Sequence, residues 1–254
     1  MIQKVEGIVI RTTDYGETNK ILTIYTREFG KVPVMARGAK RPKSRFAASS
    51  QLFIQGVFVY QQSKGIGTLT TADIIDSFRG IRSDLMLTAY SAYIVELLDK
   101  LTEDREKSPY LYELLYQVLH HINEGVDAEV LVRLVETKLL SLTGSPPILH
   151  ECARCQSVEE PFQFSIRYAG ALCRRCLHED SYHLRVSPQT MKLLRLFQQL
   201  NPTRIGSITL KEQTKRELKE ALTMYYQEYV GVYAKSKRFL DQMEKMNQAS
   251  VDTE

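Results

Sequence analysis

The residues of this chain best equipped for chemistry are four cysteines, Cys152-x-x-Cys155 and, after seventeen intervening residues, Cys173-x-x-Cys176. No other cysteine occurs in the 254 residues. Two C-x-x-C pairs at this separation match a zinc ribbon, in which two tight knuckles present four thiolates to one tetrahedral ion. Soft thiolates favour zinc over hard divalent cations, although the same donor set also suits iron. Two disulfides would require an oxidising compartment, and a thioredoxin-like site would need only one pair near a βαβ unit. A hydrolytic zinc keeps one position open for water, so a shell closed by four cysteines points to a structural ion. Zinc deaminases place H-x-E ahead of P-C-x-x-C, whereas here no proline precedes either pair and His150-Glu151 lacks that spacing. His150 and His178 flank the cluster and read as surface histidines.

A second set is cationic. Net charge is only +4, but residues 1–80 hold twelve Lys and Arg against six Asp and Glu. No acidic residue lies between Glu28 and Asp73, and five of the basic ones fall within nine positions: Arg37, Lys40, Arg41, Lys43 and Arg45. Such density creates a field that attracts phosphates through counterion release, with a solvated loop as the plainer alternative. Other chemistry is not signalled. There is no G-x-x-x-x-G-K-S/T loop, G-x-S-x-G elbow or dinucleotide fingerprint, and Arg37-Gly38-Ala39-Lys40 lacks the strand–loop–helix setting of a phosphate cradle. The chain reads as a non-enzyme.

The elements that must position these residues change character along the chain. Residues 5–13, 20–26, 32–37, 52–60 and 69–76 read as five β-strands, with Gly-bearing turns at Asp14–Gly16, Phe29–Lys31 and Ser63–Gly67. Five strands with a long connection between the third and fourth are the plan of an OB-fold, and the cationic cluster lies in that connection. Runs apolar on both faces, such as Phe53, Val57 and Val59 beside Leu52, Ile54, Phe58 and Tyr60, fit a barrel whose outside also packs on helices. OB-folds hold single strands in positive grooves with aromatic platforms, for which Tyr15, Tyr25, Phe29 and Phe46 are the candidates.

From Ser83 the period becomes about 3.6, with Leu85, Ala89, Tyr93, Leu97 and Leu101 recurring every four residues. Ser108-Pro109 opens a second helix that Gly125 closes, and Asp127 caps a third that stops at Gly144-Ser-Pro-Pro147. Ser187-Pro188 opens another, and a last helical stretch from Lys211 carries Leu218, Leu222, Tyr225 and Tyr229. The expected architecture is α+β. An OB-fold barrel over residues 1–80 precedes a helical domain over 81–254, which carries an inserted zinc ribbon at about 148–183. Composition is globular, at 43% hydrophobic and 25% charged. The N-terminus has no signal-peptide pattern and no run of eighteen apolar residues occurs, so a cytoplasmic protein is expected.

These residues also carry a resemblance. The opening Glu6-Gly-Ile-Val-Ile-Arg-Thr-Thr-Asp-Tyr-Gly-Glu-Thr-Asn-Lys20 resembles the start of the RecO family of bacterial DNA-repair mediators, as does Gly30-Lys-Val with Ala36-Arg-Gly-Ala-Lys40. Leu139-Leu-Ser-Leu-Thr-Gly-Ser-Pro-Pro-Ile-Leu149 leading into Cys152, and Lys235-Ser-Lys-Arg-Phe-Leu240, follow in the family's order. The resemblance implies an N-terminal OB-fold, a helical domain and, since all four cysteines are kept, the zinc-bearing branch. It implies binding of single- and double-stranded DNA and annealing of complementary strands. It further implies engagement of the acidic tail of the single-strand-binding protein SSB, and loading of RecA together with RecR, in a pathway with RecF, at the nucleoid. On this reading Arg37, Lys40, Arg41, Lys43 and Arg45, with Lys20 beside them, hold the DNA backbone, while the metal supports the fold. Lys215, Arg216, Lys235, Lys237 and Arg238 are the candidates to rim a pocket for the tail, with plain exposed helix faces as the alternative. The rival class is a protein-only adaptor that uses its barrel for docking; a zinc-dependent nuclease or deaminase is a third.

Overall fold

The computed structural model describes residues 1–62 and 65–251, the last five without their side chains. The turn expected at Ser63–Gly67 therefore lies in part outside the described residues. The five expected strands are β1 (Ile2–Tyr15), β2 (Asn19–Thr26), β3 (Gly30–Ala36), β4 (Gln55–Gln61) and β5 (Gly67–Asp76). They form a ring in the order β1-β2-β3-β5-β4, with β4 returning to β1. Every pairing is antiparallel except the short seam of Val34 and Met35 of β3 against Gly67 and Thr68 of β5. This is the topology of a five-stranded, partly open OB barrel.

The ring is filled by Val5, Val9, Leu22, Ile24, Val32, Val34, Phe58, Tyr60 and Leu69. Gly7 and Gly56 sit opposite each other on β1 and β4. A Cβ on Gly7 would come within 2.4 Å of the Ile24 side chain, and one on Gly56 within 2.5 Å of the Asp73 carbonyl oxygen. Only glycine lets the strands approach this closely.

Helices α1 (Arg79–Ser83), α2 (Leu85–Leu101), α3 (Pro109–Asn123) and α4 (Ala128–Leu139) come next. A hairpin of β6 (Phe162–Ser165) and β7 (Gly170–Cys173) precedes α5 (Pro188–Gln199), α6 (Glu212–Tyr225) and α7 (Lys235–Val251). The caps follow the sequence signals. Ser108 accepts from the Leu111 amide, Asp127 from those of Glu129 and Val130, and Ser187 from that of Thr190. Two breaks shape the helices, the second of them unexpected. Asp84 leaves the helical region and caps α2, separating it from α1. The stretch from Lys211 does not run through: after α6 a π-turn over Tyr226–Val230 ends at Gly231, in the left-handed conformation at φ 63°.

The chain divides into two compact units, residues 1–125 with 234–254, and residues 126–233. In the first, the barrel packs on α2 and α3. Tyr112 is fully buried and donates from its hydroxyl to Glu6 Oε1 at 2.8 Å, and Lys31 Nζ reaches the Asp99 carbonyl and carboxylate at 2.6 and 3.2 Å. This is the second, helix-covered side implied by strands apolar on both faces. Helix α7 returns to α2, where Glu96 accepts from the Lys235 and Ser236 amides. In the second unit α4 is buried almost all round, and the β6–β7 hairpin ends on Cys173. No helix among the described residues is long and apolar enough to cross a membrane.

Candidate nucleic-acid interface and metal centre

The direction of the first strand decides what the barrel presents. Val5 and Val9 point into the core, so strict alternation would send Arg11, Thr13 and Tyr15 inward too. A bulge at Ile10 shifts the register: Val9 pairs with Ile24, then Arg11 pairs with Thr23. Beyond it Arg11, Thr13 and Tyr15 lie opposite Thr23, Ile21 and Asn19, on the outer face. On β3 the same face continues through Pro33 and Met35, the partners of Thr23 and Ile21. Helix α2 covers one end of this face through the Asp99 contacts to Lys31 and Arg11. The other end, at the β1–β2 turn, is open.

The cationic connection is sewn to that open end. The Lys40 amide donates to the Thr18 carbonyl at 2.9 Å, and the Gly38 amide to Asn19 Oδ1 at 2.9 Å. Ala39 and Phe46 are plugged into the barrel core, so residues 37–46 form a shaped loop rather than a free solvated run. Within it Arg41, Pro42, Lys43 and Ser44 make a tight turn. The Ser44 amide donates to the Arg41 carbonyl at 3.1 Å, and Lys43 adopts φ 60°. Arg37, Lys40, Arg41, Lys43 and Arg45 are all exposed, and the Arg45 guanidinium lies 4.6 Å above the Phe46 ring. Lys20 is half-buried, opposite Asp14 in the β1–β2 ladder. Lys40 Nζ sits 2.7 Å from Asp14 Oδ2. That hydrogen bond, with Lys20 nearby, holds the Asp14 carboxyl below the usual carboxylate range.

The candidate aromatics separate cleanly. Tyr25 and Phe46 are buried at 1% and 4% exposure and belong to the packing. Phe29 is 39% exposed but lies at the opposite end, in the β2–β3 turn. Tyr15, at 52%, stands at the open end beside the cationic loop.

The cysteines converge. All four Sγ atoms lie within 4.8 Å of one another, with Cys155 and Cys173 at 3.6 Å. Cys152 and Cys155 bracket a turn closed by the Gln156 amide on the Cys152 carbonyl, and Cys173 and Cys176 one closed by the Cys176 amide on the Cys173 carbonyl. Cys152, Cys173 and Cys176 are buried and Cys155 is exposed. Burial opposes ionisation of Cys152, but the amides of Cys173, Cys155 and Arg154 bring its thiol down to about 6. Burial and then the neighbouring sulfurs push Cys176 up to about 12. Four thiols so close ionise together only around a cation, so the donor set fits a metal ion. His150 bonds to Gln199 and His183 to the Asp180 carbonyl, and neither they nor His178 joins the cluster.

Two of the basic residues of the C-terminal stretch are paired inside their own units. Lys215 Nζ is enclosed by Asp127, Glu129 and Glu212 at 2.6, 3.8 and 3.3 Å, and Lys237 pairs with Asp241. Arg216 instead lies with Lys219, Glu220, Thr223 and Met224 along an open cleft of about 390 Å³ on α6.

A family model described as recombination protein O, N terminal, matches residues 1–78, and one described as recombination protein O, C terminal, matches residues 82–238. The chain is 51% identical over 246 residues to the DNA repair protein RecO of Halalkalibacterium halodurans, covering 97% of both chains. It is 51% identical over 246 residues to that of Bacillus subtilis, covering 97% of this chain and 96% of the relative. Against that of Bacillus mycoides the identity is 52% over 245 residues, covering 96% and 99%.

Proposed function

The chain belongs to the RecO family, and from that premise we propose that it is a DNA repair and recombination mediator that works by holding strands, without a chemical step. In this reading residues 1–80 are the nucleic-acid-binding domain. Arg37, Lys40, Arg41, Lys43 and Arg45, with Lys20, take the phosphates of single- or double-stranded DNA in the bacterial cytoplasm, at the nucleoid. The observation that carries it is the exposed cationic loop, pinned by Ala39 and Phe46 to the open end of an OB barrel. Phosphate contacts give affinity without sequence preference, as repair requires. Two strands held on positive surfaces repel each other less and meet at higher local concentration, which speeds annealing.

Cys152, Cys155, Cys173 and Cys176 would hold one zinc ion that ties the two turns and the β6–β7 hairpin together. The partners proposed are SSB, RecR and, through them, RecA loading. The α6 cleft with Arg216 and Met224 offers a cation and an apolar floor for an acidic tail, with Glu220 narrowing its choice. The test is annealing of SSB-coated complementary oligonucleotides by wild type and by a variant with Arg37, Lys40, Arg41, Lys43 and Arg45 changed to Ala. Both must first give the same circular dichroism. Annealing lost only in the variant is the expected result. A wild type that neither anneals nor binds DNA at low salt overturns the reading.

A further inference from the structure

The barrel carries an aromatic surface that phosphate binding alone leaves unused. We propose that Tyr15 is a stacking platform for an unpaired nucleobase, which makes the open end of the barrel selective for single-stranded over duplex DNA; this rests on the DNA-binding reading above. Three observations converge on it. First, the bulge at Ile10 turns Tyr15 onto the outer face, where the alternation set by Val5 and Val9 would have aimed it at the inner one. Second, of the barrel's aromatic side chains only Tyr15 and Phe29 are exposed, and Phe29 lies at the far end. Third, the cationic loop is anchored at the residues beside and across from Tyr15. Its neighbour Asp14 holds Lys40, and its cross-strand partner Asn19 accepts from the amide of Gly38, next to Arg37.

A phenol held at a hairpin tip loses little freedom on stacking, and every base offers a π-face, so the contact is indifferent to sequence. A duplex keeps its bases stacked on each other and offers the ring no face. The cations serve both forms of DNA, so the ring alone separates them. It works on the face that α2 leaves uncovered, where half-exposed Ile21 and Met35 continue the apolar surface.

The chain contains no tryptophan, so Tyr15→Trp installs a unique fluorophore at the proposed site. Titration with a short single-stranded DNA of mixed sequence should quench it saturably, and the same sequence as a blunt duplex should not. Stacking is worth about 1–3 kcal/mol per base, so Tyr15→Ala should weaken single-strand binding about 5- to 150-fold. Duplex affinity and the salt dependence of both should stay unchanged. Tyr15→Phe should restore single-strand binding, because the ring and not the hydroxyl is used. If wild type binds single strands and Tyr15→Ala binds them equally, the platform is wrong and the phosphate site stands. Equal losses on single strands and duplex, or equal quenching by both, also overturn it. If wild type binds no DNA, the underlying reading fails first.

Discussion

Replacing Asp14 by Asn should tighten DNA binding and steepen its dependence on salt. Among the five cations of the loop, Lys40 alone has a carboxylate within ion-pair reach among the described residues, at 2.7 Å. A phosphate arriving at Lys40 displaces Asp14, so little net counterion release is gained there. On the proposed reading Arg37, Arg41, Lys43 and Arg45 should each contribute about 0.7 to the log–log slope on single strands, or about 2.8 in all. Changing all five to Ala should therefore flatten the slope by about 2.8 rather than about 3.5. Over a fourfold rise in salt, these four cations account for about a 50-fold loss of affinity. Asp14→Asn frees Lys40, adds about 0.7 to the slope and raises the loss from this loop to about 130-fold. At fixed low salt it should tighten binding by up to about fivefold, the value of one exposed ion pair. Fluorescence anisotropy with a labelled single strand, across a salt series, measures all three proteins. A slope unmoved by the five-fold substitution, or an Asp14→Asn variant that binds more weakly, refutes the assignment of phosphates to this loop.

Phe46→Ala removes no charge but empties a core position, so it should cost about 3–5 kcal/mol in urea unfolding and loosen DNA binding by unpinning the loop. Chelation of the metal, or Cys155→Ser, should expose residues around 150–180 to limited proteolysis and lower the melting temperature. Cobalt reconstitution should give the absorption of a tetrahedral thiolate site, with one equivalent per chain, whereas native iron would show as visible colour before any reconstitution. Glu217 accepts from the Ser187 amide at 2.8 Å and from the Thr190 hydroxyl, at the start of α5. Although burial opposes it, these bonds hold its carboxyl below the usual range. A carboxylate depressed in the folded state stabilises above its unfolded pKa and loses that contribution as pH falls through the folded value. Glu217→Gln should therefore cost about 1 kcal/mol at neutral pH, and the gap to wild type should close in acid, below the ordinary carboxylate range.

Local signals proved sufficient where a single residue type dictates geometry. The cysteine spacing leads straight to four convergent sulfurs, and Ser108, Asp127 and Ser187 cap the helices they announce. Exposure of the cationic loop was also legible, because charges in such density find no buried partners. What escaped depends on the whole fold. The bulge at Ile10 has no sequence mark, since Val9, Ile10 and Arg11 read as uninterrupted strand, yet it reverses the facing of Arg11 and Tyr15. Tyr25 looked as suitable a platform as Tyr15 but is buried in the folded barrel. The fourth strand opens at Gln55 rather than at Leu52 because Phe53 takes φ 67° and the connection closes on β1 through Val9. Lys215 was a candidate for the rim of a tail pocket, but three carboxylates surround it, two of them more than eighty residues away in sequence.

Where DNA lies on this protein is tested most directly by photocrosslinking. A single strand bearing photoreactive thymine analogues would be bound at low salt, irradiated, and the crosslinked peptides identified by mass spectrometry. The account predicts adducts in the peptides carrying Tyr15, Lys20 and residues 37–45, lost in the variant with all five loop cations changed. Adducts confined to the cysteine module or to α6 and α7, with the barrel peptides clean, would contradict it.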